Sequence, residues 1–169
     1  MGNINQKITP SLWFDQECEE AVNFYVGVFN SSPTKKQDSK VVSIARYEEG
    51  METPGDMTGK VLTAIFELEG QRFMALDGGP IFKFNEAISF QVECEDQAEV
   101  DYFWTKLSAV PESEQCGWLK DKFGLSWQIV PKRLGELMSD PDKEKVVRVT
   151  NEMLKMKKII IADLEKEAS

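Results

Sequence analysis

Along the chain one polar-led helical pattern is written twice. Glu20-Ala21-Val22-Asn23-Phe24-Tyr25 recurs in kind as Glu99-Val100-Asp101-Tyr102-Phe103-Trp104. Each copy follows a short apolar run and precedes strand-like runs that end in a hairpin, Gly70-Gln71-Arg72-Phe73-Met74 in the first half and Gly124-Leu125-Ser126-Trp127-Gln128 in the second. Duplication on this scale predicts a paired-module fold. In the first copy Lys7 to Phe14 reads as a short strand, and Glu17 to Val28 as a helix with Ala21, Phe24, Tyr25 and Val28 on one face at i, i+3, i+4, i+7. Asn30-Ser31-Ser32-Pro33 breaks that helix, Val41 to Tyr47 alternates as a strand, and Glu48 to Gly59 is a Gly- and Pro-containing loop without periodicity that reads as a mobile lid. Lys60 to Leu68 and Arg72 to Asp77 form a hairpin around Glu69-Gly70, and Gly78-Gly79-Pro80 ends the module.

The second copy repeats the order: strand Ala87 to Cys94, helix Asp96 to Leu107, a short edge around Glu112 to Gln115, and a hairpin from Gly117 to Val130 closed by Pro131. In the tail, Asp140-Pro141 reads as an N-cap and first helical residue, with Val146, Val149, Met153 and Met156 on one face. Ile159-Ile160-Ile161 follows, and an apolar run there must pack against the body or a second subunit, the body being the favoured choice. The expected fold class is α+β. Two tandem β-α-β-β-β modules form a cup-shaped, mixed but mostly antiparallel sheet with a C-terminal helical appendage. Residues 1–169 make one domain, with module one about 7–80, module two about 81–131 and the extension about 132–169.

Composition narrows the partners. The net charge of −9, with lysines scattered or gathered in the tail as Lys155, Lys157 and Lys158, would repel a phosphate backbone, so nucleic acid is not expected. No stretch approaches the roughly 18 apolar residues that cross a bilayer, and the start carries no signal or myristoylation pattern. A soluble, cytoplasmic protein without a membrane partner is expected. Cys18, Cys94 and Cys116 are odd in number and lack C-x-x-C spacing, which predicts free thiols. Cys94 ends an apolar alternation and reads as a small buried hydrophobe. There is no histidine, so a Cys–His nucleophile is excluded.

Acid–base candidates are therefore carboxylates such as Asp77, Glu86 and Asp121. Asp77 and Asp121 both stand where turn residues do. Glu17, Glu19 and Glu20 begin a helix, where negative charge is stabilising. The sequence assigns opposed catalytic roles to no pair of carboxylates, and no catalytic residue is assigned.

Four segments carry a resemblance: Ile8 to Phe14, Ala75 to Pro80, Phe82 to Phe90, and Cys116 to Pro131. They resemble the PhnB-like branch of the vicinal oxygen chelate superfamily, often labelled 3-demethylubiquinone-9 3-methyltransferase-like; the superfamily includes glyoxalase I, extradiol dioxygenases and the bleomycin and fosfomycin resistance proteins. The resemblance implies a cup in which metal-using members converge four side chains on a divalent ion, from the first and last strands of each module. Here the last strands offer Gln128, where glyoxalase-type relatives carry a glutamate, and Met74. The first strands offer Thr9, Pro10, Ser11 and Ala87 to Ser89. An amide, a thioether and hydroxyls are poor donors for such an ion, so neither metal nor cofactor is expected.

The methyltransferase label finds no support either, because Gly78-Gly79-Pro80 runs into Ile81-Phe82-Lys83-Phe84 rather than opening a helix. What remains is a cup lined by aromatic and amide groups: Trp13, Trp118, Trp127, Asn85, Ser89, Gln91 and Gln128. Trp127 and Gln128 alternate, so only one of them faces inward. The expected function is metal-free binding of a small organic ligand, in the manner of the bleomycin resistance proteins, with Gln128, Trp13, Ser89, Gln91, Asn85 and Trp118 at the site. The alternatives are an enzyme of the same fold, including the labelled methyltransferase, and a structural or regulatory interaction protein. Family members commonly pair, and open edges need covering, so a homodimer is expected.

Overall fold

A computed structural model describes residues 6–53 and 55–169; what was read for the first five residues and for Pro54 inside the Glu48 to Gly59 loop lies outside them. The chain gathers into two compact units, one of residues up to 31 with Lys35–Lys83, the other of Ser32–Thr34 with Phe84–Ser169. The fold is α+β, with two open sheets of mixed strand direction.

In the first unit β1 (Ser11–Phe14) leads into α1 (Cys18–Asn30), then β2 (Lys40–Arg46), β3 (Val61–Leu68) and β4 (Gln71–Asp77), with sheet order β1-β4-β3-β2. β1 runs parallel to β4, and the other pairs are antiparallel. α1 lies against β3 and β4, burying Cys18, Ala21, Val22, Tyr25, Val28 and Phe29 over Ala64, Phe66, Leu68, Phe73 and Ala75. The β3–β4 turn is Glu69-Gly70 as expected, with φ of 48° and 81°, the left-handed pair that joins two strands tightly.

The opening strand is shorter than the expected Lys7 to Phe14. Pro10 has no N–H to give, and beyond it the side chain of Gln6 takes over the pairing: its Oε1 accepts from Arg72 N at 2.9 Å and its Nε2 donates to Arg72 O. The Glu48 to Gly59 loop is tied at its far end, where Met57 is buried and its carbonyl accepts from Lys60 N at 2.9 Å.

The second unit contains β5 (Phe90–Cys94), α2 (Gln97–Leu107), a 3-10 turn at Pro111–Ser113, β6 (Trp118–Lys120) and β7 (Ser126–Pro131), in sheet order β5-β7-β6. β5 is parallel to β7, the same pairing of first and last strands seen in the first unit. Two expectations are corrected here. The strand read over Ala87 to Cys94 begins only at Phe90, because Asn85 Oδ1 accepts from Ala87 N and turns the chain before it can pair. The edge expected at Glu112 to Gln115 is a 3-10 turn started by Pro111, followed by a single bridge from Gln115 to Trp118. The second sheet therefore has three strands where the first has four.

Beyond β7 the chain forms α3 (Lys132–Met138), α4 (Lys143–Met153) and α5 (Ile161–Glu167). The N-cap of α4 is Asp142, whose carboxylate accepts from Glu144 N and Lys145 N, and not Asp140 as the Asp140-Pro141 pair suggested; Asp140 instead accepts from Asp142 N one turn earlier. Leu134, Leu137, Val149, Met156, Ile159 and Leu164 make a small core of their own. Ile159 is fully buried in it, so the Ile159-Ile160-Ile161 run packs within its own unit. The linker before α5 is strapped across the β6 turn and α2. Cys116 N and Gly117 N donate to the carbonyls of Met156 and Lys157, and Gln97 bonds both Ile159 O and Ile161 N.

Candidate functional site

The alternation of Trp127 and Gln128 is settled by one buried carboxylate. Asp121, between β6 and β7, accepts from Phe123 N at 2.9 Å and Leu125 N at 3.0 Å with one oxygen and from Trp127 Nε1 at 2.8 Å with the other. The indole is thereby held in the core, and Trp127, Leu119 and Ile129 are buried beneath α2 with Val100, Phe103 and Leu107. Residues alternate across a strand, so Gln128 stands on the opposite, open face.

Register then assembles a row on that face. Trp118 on β6 and Gln91 on β5 are both the direct neighbours of Gln128 on β7, each about 4.8 Å away across the sheet. Ser89, just before β5, joins the row by its hydroxyl, which accepts from Gln128 Nε2 at 2.8 Å. This leaves the Gln128 carbonyl oxygen as an acceptor and the Ser89 O–H as a donor, side by side and without further partners among the described residues. Four expected site residues, Gln128, Ser89, Gln91 and Trp118, thus meet on one sheet face.

The next row along the strands pairs Lys120 with Ser126. Ser126 is buried, and its Oγ has no hydrogen-bond partner among the described residues. Lys120 Nζ forms an ion pair with Glu86 in the loop before β5, and that bond holds the Glu86 carboxyl below the usual glutamate range. Glu86 was a candidate acid or base; it serves as the counter-ion of a lysine. Ser126 and Lys120 were not singled out in the sequence, although Ser126 stands two residues from Gln128 and so on its face.

Asn85 and Trp13 are not part of this strand row. Asn85 is exposed and forms the turn to Ala87. Trp13 belongs to the first unit, where its Nε1 donates to the Gly79 carbonyl at 2.8 Å and its ring meets Phe82 edge to face at 5.0 Å. Gly78 lies flat against that indole; a Cβ there would come within 2.2 Å of the ring. The Gly78-Gly79-Pro80 turn is thus shaped by tryptophan packing, and no helix follows it before α2.

Asp77 is buried at the end of β4, where it accepts from Cys18 N at 2.8 Å and Val61 N at 3.2 Å, capping α1 from across the unit. Burial raises its carboxyl above the ordinary aspartate value. Burial first, and Asp77 second, push the Cys18 thiol up to about 12, and burial likewise pushes up the Cys94 thiol. Both are inert packing groups, as read for Cys94.

The superfamily's metal positions can be tested on this register. The closing strands place Met74 and Gln128, and their neighbours on the opening strands are Ser11 and Gln91. The second opening position is thus Gln91 rather than the Ala87 to Ser89 span, which reaches the row only through the Ser89 hydroxyl. A thioether and a hydroxyl on one sheet and two amides on the other do not fit a catalytic divalent ion. Among the described residues no three His, Cys, Asp or Glu side chains converge as a metal set.

No curated protein matches the chain. The family model described as 3-demethylubiquinone-9 3-methyltransferase matches residues 6–130, which leaves α3, α4 and α5 outside it. Among solved structures, the PhnB protein from Bacillus cereus, named for the same methyltransferase, is 38% identical, with a TM-score of 0.59 over 75% of this chain and 99% of its own. Protein PA1353 from Pseudomonas aeruginosa is 19% identical, with a TM-score of 0.57 over 75% of this chain and 98% of its own, a likeness of fold. The chain therefore belongs to the 3-demethylubiquinone-9 3-methyltransferase family, the PhnB-like branch of the vicinal oxygen chelate superfamily.

Proposed function

We propose that this protein binds a small organic molecule on the open face of β5-β7-β6, in the cup its superfamily uses, and that it does so without a metal ion. The observation that carries the reading is the Trp118–Gln128–Gln91 row with Ser89 bonded to Gln128. It combines an aromatic wall with a few fixed polar groups, the makeup of a small-molecule site. The donor chemistry at the superfamily's metal positions supports the metal-free part, and the Gly78 turn, closed by Trp13, gives the family's methyltransferase name no nucleotide cradle.

Thermal unfolding of chelator-treated protein against a panel of small metabolites tests this. An organic compound alone should raise the melting temperature, and Gln128→Ala should abolish that rise. A rise that depends on a divalent metal would overturn the metal-free reading. The open sheet edges also favour a homodimer in solution. Light scattering that returns only a monomer at micromolar concentration would contradict that.

A further inference from the structure

The linker between α4 and α5 meets the chain just before β6, beside the proposed binding row. We infer that this linker, residues 154–161, is the positioning element of that row, with Gln97 as its anchor: it holds the Cys116-Gly117 turn and through it sets Trp118 beside Gln128. The functional part of the inference rests on the binding face just proposed.

The turn into β6 is backbone that its surroundings must hold. Cys116 and Gly117 have φ of 51° and 85°, two left-handed residues in succession, and a residue with a side chain stays in that region only where neighbouring structure imposes it. The imposing groups come from the tail. Cys116 N donates to Met156 O at 2.8 Å, Gly117 N to Lys157 O at 2.7 Å, and Gln115 Nε2 to Leu154 O at 2.9 Å. Ile159 occupies the space beside the turn, where a Cβ at Gly117 would come within 3.3 Å of its Cγ1. The carbonyl of Gly117 accepts from Ile129 N at 2.8 Å, Ile129 follows Gln128 on β7, and Trp118 follows Gly117. One residue therefore joins the tail to both Trp118 and the Gln128 strand.

The linker is in turn fixed on α2. Gln97 Nε2 donates to Ile159 O at 3.1 Å, its Oε1 accepts from Ile161 N at 2.8 Å, and Lys158 Nζ pairs with Asp101 at 2.6 Å. The family model ends at residue 130, so the linker belongs to the part of this chain that the model does not reach. The wall of the binding row is thus held from outside the part that carries the family likeness.

Amide hydrogen exchange and indole signals, both followed by NMR, test this in the whole chain as wild type, Gln97→Met, and Gln97→Met combined with Lys158→Met. Met keeps the bulk of Gln and removes both of its bonds to the linker. The Gly117 and Ile129 amides should then exchange about tenfold or more faster, and the Trp118 indole signal should shift or broaden. The Phe123 and Leu125 amides and the Trp127 indole, which Asp121 holds at the far end of the β6–β7 hairpin, should stay as in wild type. A linker that only adds stability would speed all these amides together and leave the Trp118 signal in place. That outcome, or unchanged Gly117 exchange and Trp118 signal in both variants, would overturn the inference. These readouts need no ligand, so failure of every compound to bind would sink the binding reading while the hold on Trp118 is judged by its own measurement.

Discussion

The two sheets share a plan and differ in what they leave open. In each, the first strand runs parallel to the last, a helix covers one face, and a row of side chains lines the other. On the first sheet that row is Ser11, Met74, Ile65 and Ser43, with Trp13 and Leu76 beside it. Its one polar aromatic handle, the Trp13 N–H, is bonded to the Gly79 carbonyl. On the second sheet the matching positions carry Trp118, Gln128 and Gln91, and in the next row lies the buried Ser126 hydroxyl, without a hydrogen-bond partner among the described residues. Duplicated backbone does not imply duplicated chemistry. The first module's tryptophan N–H is satisfied within its module, while the Gln128 carbonyl and the Ser89 O–H of the second have no further partner among the described residues.

The largest effect should come from breaking the self-contained side. Gly78→Ala would push a methyl into the Trp13 ring and should destabilise the protein by about 3 kcal/mol in urea unfolding, an overpacking cost at the upper end of the usual range. Next, Asp121→Ala should cost about 2–3 kcal/mol, because the Trp127 N–H and two loop amides lose their acceptor inside the second unit. It should also disturb ligand binding, since Trp127 is what turns Gln128 outward. A smaller change of opposite sign is expected from Gly27→Ala on the exposed side of α1, where a Cβ meets nothing within 4 Å; the gain should be about 0.5–1 kcal/mol.

The smallest effect concerns the exposed pair of Glu19 and Arg46, 2.7 Å apart. The hydrogen bond from Arg46 lowers the Glu19 carboxyl below its ordinary value. The folded state thus binds this proton less readily than the unfolded state, so the pair's contribution is present above the ordinary glutamate range and fades as pH falls through the lowered value. The melting-temperature difference between wild type and Arg46→Met should be slight at neutral pH and vanish in acid.

The repeated helix pattern made the two modules legible, because amphipathic periodicity and turn residues are local signals. Asp96 illustrates this: it caps α2 by accepting from Glu99 N, three residues on. Elsewhere, long-range contacts were decisive. Asp77 looks like a turn residue, but its carboxylate holds an amide 59 residues away, which no local pattern reveals. The opening strand stopped short because a glutamine side chain replaced its backbone. Asp142 displaced Asp140 as the α4 cap because its carboxylate reaches two amides of the first turn. The shared face of Gln128, Ser89, Gln91 and Trp118 follows from strand register, which alternation along each strand makes partly legible. The buried Ser126 hydroxyl, without a hydrogen-bond partner among the described residues, is disclosed only by the packed fold.

The measurement that tests the central claim most directly is a ligand titration followed by NMR of the indole N–H signals, assigned by substitution, with Trp118 and Trp13 as the two reporters. The account predicts that a bound small molecule shifts the Trp118 signal while that of Trp13, held on Gly79, stays in place. A ligand that stabilises the protein yet moves Trp13 and leaves Trp118 unchanged would contradict it.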